Sequence, residues 1–186
     1  MAKVARFEAE YAARTLGPAN DGGKPKPETT EDGIALAFEE EYGDSMRFDH
    51  DAGRWFQWQG DYWKPDTTGA ALAYCRELAR DARANLKDSE RAAIGKAGFA
   101  KGVETLARVS RVHAVTQEAW DAHPFLLACP GVTVDLRTGE ARAPDPYDML
   151  TRRAAAAPAD KADCPLWLRF LHEATGGDAE MVAFLK

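Results

Sequence analysis

With 186 residues and a net charge of −6, the chain is long enough for one domain with a proper core and a small appendage. The acidic balance excludes a surface built throughout to coat nucleic acid, and no apolar run approaches the ~18 residues of a membrane span. No basic-then-apolar leader opens the chain, so the cytoplasm is the expected compartment, with no membrane partner.

Residues 1–16 have a mixed, weakly helical character, and Leu16 to Pro27 is too rich in Gly and Pro to pack, which predicts a flexible segment and linker over 1–27. Thr29 or Thr30 is placed to cap a helix whose first turn carries Glu31 and Asp32, favourable at the positive end of the helix dipole. Ile34, Leu36, Ala37 and Phe38 supply its apolar side, and Gly43 stops it. Three short strands are predicted next, Ser45 to Asp49, Arg54 to Gln59 and Tyr62 to Lys64, joined by turn chemistry at Asp51-Ala-Gly53 and Gly60-Asp61. An antiparallel three-stranded meander follows. Its aromatics, Trp55, Phe56, Trp58, Tyr62 and Trp63, suit either core packing or stacking on exposed bases, and their acidic neighbours favour packing.

The clearest helix spans Ala70 to Lys87. At 100° per residue, Ala71, Cys75, Leu78, Ala82 and Leu86 form one apolar stripe, and Arg76, Arg80, Arg83 and Lys87 form a basic stripe beside it. The four cations span about 17 Å at ~1.5 Å rise per residue, enough to follow several phosphates. They lie in the one sizeable basic block of the chain: residues 68–114 carry nine Lys and Arg against five Asp and Glu, whereas 28–67 carry three against eleven. The stripe therefore reads as a DNA-binding edge, a solvated face, or a surface for a neighbouring subunit. Ser89 is expected to open another helix, with a break near Gly98, then a helical segment carrying Phe99, Val103, Leu106, Ala107 and Val109, and a short one from Val115 to Asp121.

From His123 to Thr151 the pattern changes to a β-hairpin. Phe125 to Ala128 is an apolar run, Pro130-Gly131 a turn, and Val132, Val134 and Leu136 alternate with Thr133, Asp135 and Arg137. Gly139 is expected at positive φ, Asp135 as a turn-bonding group, and Pro144 and Pro146 as the end of the returning strand. Asp163 or Cys164 opens a terminal helix with Pro165 in its first turn, and Leu166, Trp167, Phe170 and Leu171 are expected on its buried side. Gly176-Gly177 ends it, and Asp178 caps a last apolar turn. The fold class is α+β, mainly helical, with the small meander and the hairpin.

Catalytic signatures fail on inspection. Gly17 to Pro25 resembles a phosphate-binding loop, but its spacing is one residue too long, Pro25 stands where a hydroxyl is needed, and no apolar strand precedes it. Cys75, Cys129 and Cys164 are widely and unequally spaced, so they read as buried free thiols, and His50, His113, His123 and His172 fall in no i, i+4 pair. Asp49 and Asp51 around His50 read as turn chemistry before Gly53. No catalytic residue, metal or cofactor is expected of this chain.

Four short motifs in order carry a family resemblance: Gly131-Val-Thr-Val-Asp135-Leu136-Arg137-Thr138-Gly139-Glu140, Pro146-Tyr-Asp148-Met-Leu150-Thr151, Pro165-Leu-Trp167-Leu-Arg-Phe170-Leu171, and Gly176-Gly177-Asp178. Over about Thr30 to Lys186 the chain resembles the domain preceding the superfamily 3 helicase motor in phage and plasmid primase-helicases, and is similar to the corresponding poxvirus domain. The resemblance implies a linker and primase domain upstream, an α+β pre-helicase domain over 28–151, and a linker with C-terminal helices over 152–186 leading into a helicase motor. It also implies a full-length protein that oligomerises and moves on DNA with ATP. Within it, Asp135, Gly139, Pro146, Trp167 and Phe170 are structural motif positions. The expected partners are single-stranded or forked DNA, the adjacent motor and the primase, with a protein-interaction collar lacking DNA affinity as the alternative.

Overall fold

The computed structural model describes residues 28–83, 86–159 and 164–185, so the expected linker over 1–27 lies outside the described residues. The fold is α+β, with helices and short strands in two small sheets. The chain divides into two compact units, one of residues 28–41 with 71–109 and one of 42–70 with 110 onward.

The first unit is helical: α1 spans Glu31–Tyr42, α2 Ala70–Arg83, α3 Asp88–Ile94 and α4 Ala97–Val109. Thr30 caps α1, its Oγ1 accepting from the Gly33 amide at 3.0 Å. Gly33 cannot carry a side chain without meeting the Glu28 carbonyl oxygen, which lies 2.4 Å from where a Cβ would stand. The buried residues include Ile34, Ala35 and Phe38 of α1, Ala71, Cys75 and Ala79 of α2, Ile94 of α3, and Ala100, Val103, Glu104 and Ala107 of α4. Of the predicted apolar stripe of α2, Ala71 and Cys75 are buried and Leu78 and Ala82 half-buried, while Ala79 joins the inner face unexpected; Leu86 and Lys87, expected at the end of this helix, are not helical. Arg91 Nε donates to the Arg83 carbonyl at 3.2 Å, tying α3 to the end of α2. The break between the following helices falls at residues 95–96, leaving Gly98 inside α4.

The second unit holds both sheets. Strands β1 (Met46–Asp49), β2 (Arg54–Trp58) and β3 (Trp63–Pro65) form the expected meander. A fourth strand, β4 (Ala114–Val115), joins β1 in parallel, giving the order β3-β2-β1-β4. Residues 115–121 therefore begin as strand and continue as a single 3-10 turn, Gln117–Ala119, rather than as the expected helix. In place of a two-stranded hairpin, β5 (Leu126–Cys129), β6 (Val132–Asp135) and β7 (Ala141–Arg142) form a three-stranded antiparallel sheet. Gly131 and Gly139 both stand at φ +76°, which glycine adopts without the Cβ clash that penalises other residues.

Helices α5 (Pro165–Ala174) and α6 (Ala179–Phe184) end the chain, with Cys164 before the first and Asp178 capping the second by accepting from the Glu180 and Met181 amides. The expected buried side of α5 is largely exposed: Leu166 is 74%, Trp167 49% and Phe170 56% exposed, and Leu171 alone is buried at 3%. Trp167 and Phe170 stack on each other, 5.6 Å between centroids. An apolar period marks a face that suits burial, and nothing in the period says whether another surface covers it.

Candidate nucleic-acid interface

α2 turns Ala71, Cys75 and Ala79 inward, which places Arg76 and Arg80 on its exposed side and Arg83 half-exposed at its end. The three arginines line a cavity of about 240 Å³ together with Ala79, Ile94, Gly95, Lys96, Ala97 and Ala100. No carboxylate of the described residues lines it. Among the described residues none of Arg76, Arg80, Arg83 or Lys96 is held in a salt bridge. The first turn of α4 begins at the same place and adds the partial positive charge of a helix N-terminus.

Lys87, the fourth member of the predicted stripe, is not on α2. It precedes α3, where its amide donates to Glu90 Oε2 at 3.3 Å, and it does not line the cavity. Lys96 takes the fourth place instead. Sequence periodicity could not find it, because it belongs to another helical segment and shares no register with Arg76, Arg80 and Arg83.

The aromatics of the meander form a packed cluster. Trp55, Phe56 and Trp63 are buried, Phe56 and Trp63 lie 4.5 and 5.9 Å from Trp120, and Phe48 meets Trp55 at 5.2 Å. Trp63 Nε1 donates to the Pro146 carbonyl at 2.8 Å, so Pro146 serves the junction of the two sheets. Trp120, absent from the sequence reading as a core residue, donates its Nε1 to Asp49 Oδ2 at 2.9 Å. Arg47 is buried between the Trp63 and Tyr147 rings, and desolvation lowers its pKa against the opposing pull of Tyr147 and Asp44. Of the five meander aromatics, Trp55, Phe56 and Trp63 are therefore core, and Trp58 and Tyr62 are half-buried.

The remaining acidic candidates accept hydrogen bonds from backbone amides. Asp49 Oδ1 accepts from the amides of Asp51 and Ala52, and Asp51 Oδ2 from that of Gln117, which is turn chemistry. No cluster of three metal-binding side chains exists among the described residues. Asp135 Oδ1 accepts from the Arg137 amide at 2.9 Å, and its bonds with Arg137 hold the carboxyl below its usual pKa. Cys75 and Cys129 are buried, whereas Cys164 is exposed, against the expectation of three buried thiols. Burial, aided by the Glu104 carboxylate, pushes the Cys75 thiol up to about 12, so it stays protonated and unreactive. No described helix is long and apolar enough to cross a membrane.

Residues 35–176 match the family described as D5 N terminal like. No curated protein matches the chain.

Proposed function

From the premise that the chain belongs to the D5 N terminal like family, the domain preceding the superfamily 3 helicase in primase-helicases, we propose that it is a noncatalytic module that holds DNA beside a hexameric ATPase motor. The observation that carries the DNA-binding part is that Arg76, Arg80, Arg83 and Lys96 line one cavity with no carboxylate among the described residues that line it, in a chain that is acidic overall. Such a local cluster attracts phosphate while the rest of the surface repels it, so contact is confined to one place. Phosphate contacts carry no base information, and the module would therefore hold strands of any sequence. ATP turnover would belong to the motor of the parent protein, and oligomerisation to the ring that motor forms.

One observation favours a second reading, a protein-interaction collar between primase and helicase. Leu166, Trp167 and Phe170 present an apolar surface on α5 that a neighbouring domain could cover.

Single-strand binding by the whole chain, titrated against salt, separates the two readings. DNA contact predicts an affinity that falls as salt rises, with a log–log slope of about −0.7 per phosphate engaged, the same for unrelated sequences. Absence of binding at low salt would remove the DNA reading and leave the collar. ATP hydrolysis that stayed with the chain through a clean preparation would overturn the noncatalytic assignment.

A further inference from the structure

The cationic face of α2 is part of a cavity, and this separates it from a flat charged edge. Arg76, Arg80 and Arg83 supply one part of the lining, the α3–α4 junction at Ile94, Gly95, Lys96 and Ala97 another, and buried Ala79 and Ala100 complete it. The cavity's ~240 Å³ falls below the roughly 300–1,000 Å³ of sites that take drug-sized molecules, a size suited to a phosphate group whose remaining molecule stays outside. Gly95 makes the arrangement possible. A Cβ there would stand 2.9 Å from Arg83 Nη1, so the glycine leaves the space in which that guanidinium lies.

Charge decides which phosphate. Coulomb attraction scales with ligand charge, so four convergent cations draw a doubly charged monoester about twice as strongly as a singly charged backbone diester. A phosphate monoester has its second pKa near ~6 and is mostly a dianion above neutral pH. We propose that this pocket receives a phosphate monoester dianion, and that on a nucleic-acid strand it takes the terminal phosphate. The strand rests on the DNA-binding reading above; the preference for a dianion rests on the cavity.

The test uses the full chain at pH 8 and one short single-stranded oligonucleotide carrying either a 5′-phosphate or a 5′-hydroxyl, with inorganic phosphate alone as a third ligand. The 5′-phosphate is expected to tighten binding about tenfold, the effect of one added charge-assisted hydrogen-bonded contact. That increment should vanish in Lys96→Gln and in Gly95→Ala, which displaces the Arg83 guanidinium, a flexible group, and sets a Cβ 3.2 Å from the Arg91 carbonyl at a φ of −73° that any residue adopts. Unchanged melting temperatures in both variants show that the fold is intact. Inorganic phosphate should compete for the increment, which identifies the phosphate rather than the strand end as the recognised group. If both oligonucleotides bind alike with strong salt dependence, the pocket proposal is overturned and the DNA-binding reading stands. If neither binds, both fall. An increment that survives both substitutions places the terminal phosphate elsewhere and also overturns the proposal.

Discussion

Gly139 and Gly33 are both intolerant of a side chain, for different physical reasons. Gly139 has open space around it but stands at φ +76°, so the cost of Gly139→Val is backbone strain, about 1–3 kcal/mol. Gly33 has an ordinary helical φ, and Gly33→Ala drives a Cβ against the Glu28 carbonyl. Urea unfolding should show both variants destabilised, and Gly139→Ala should be strained as well despite its small side chain. Full stability in Gly139→Val would mean that the turn adopts another conformation in solution. The Gly139 turn was legible because Thr138-Gly139 follows an alternating strand, a purely local signal. Gly33 was not, since its constraint comes from an atom five residues away whose position depends on how the chain enters α1. Lys96 escaped for the same reason at longer range: the residues it joins lie on another helix.

Among the elements, α5 separates amphipathicity from burial most clearly. Its start at Pro165, its end at Gly176-Gly177 and the cap at Asp178 were all readable, because caps and breakers act within a turn of their own position. Its expected buried face was readable only as a pattern. The structure buries Leu171 and leaves Trp167 and Phe170 about half exposed. Replacing Trp167 and Phe170 together by Gln should therefore change unfolding free energy by no more than about 0.5 kcal/mol per residue, whereas Leu171→Ala should cost about 2 kcal/mol or more. Equal losses in the two variants would show that the exposed face is covered in solution, and sedimentation of the wild-type chain would then report a larger species. Strand β4 marks the opposite failure of reading. Two residues, Ala114 and Val115, carry no period, and their pairing with Phe48 and Asp49 bridges more than sixty positions of sequence.

At the scale of the molecule, the question is whether an acidic chain holds DNA through a local cluster or whether any loss of positive charge weakens it. The two possibilities make different demands on four cations removed from different places. Replacing Arg76, Arg80, Arg83 and Lys96 by Gln takes the net charge from −6 to −10, and so does replacing the exposed Lys64, Lys101, Arg111 and Arg152. Gln keeps helix propensity close to that of Lys and Arg, so α2 and α4 should persist in both variants. If the cavity engages phosphates, the first variant should flatten the log K against log salt slope on single-stranded DNA by up to about 3, since each lost contact removes about 0.7. The second removes the same charge from residues that do not line the cavity, so it should lower affinity only through the global charge and leave the slope nearly unchanged. Parallel slopes for the two variants would mean that net charge alone governs binding, and would take the cationic cavity out of the DNA-holding role.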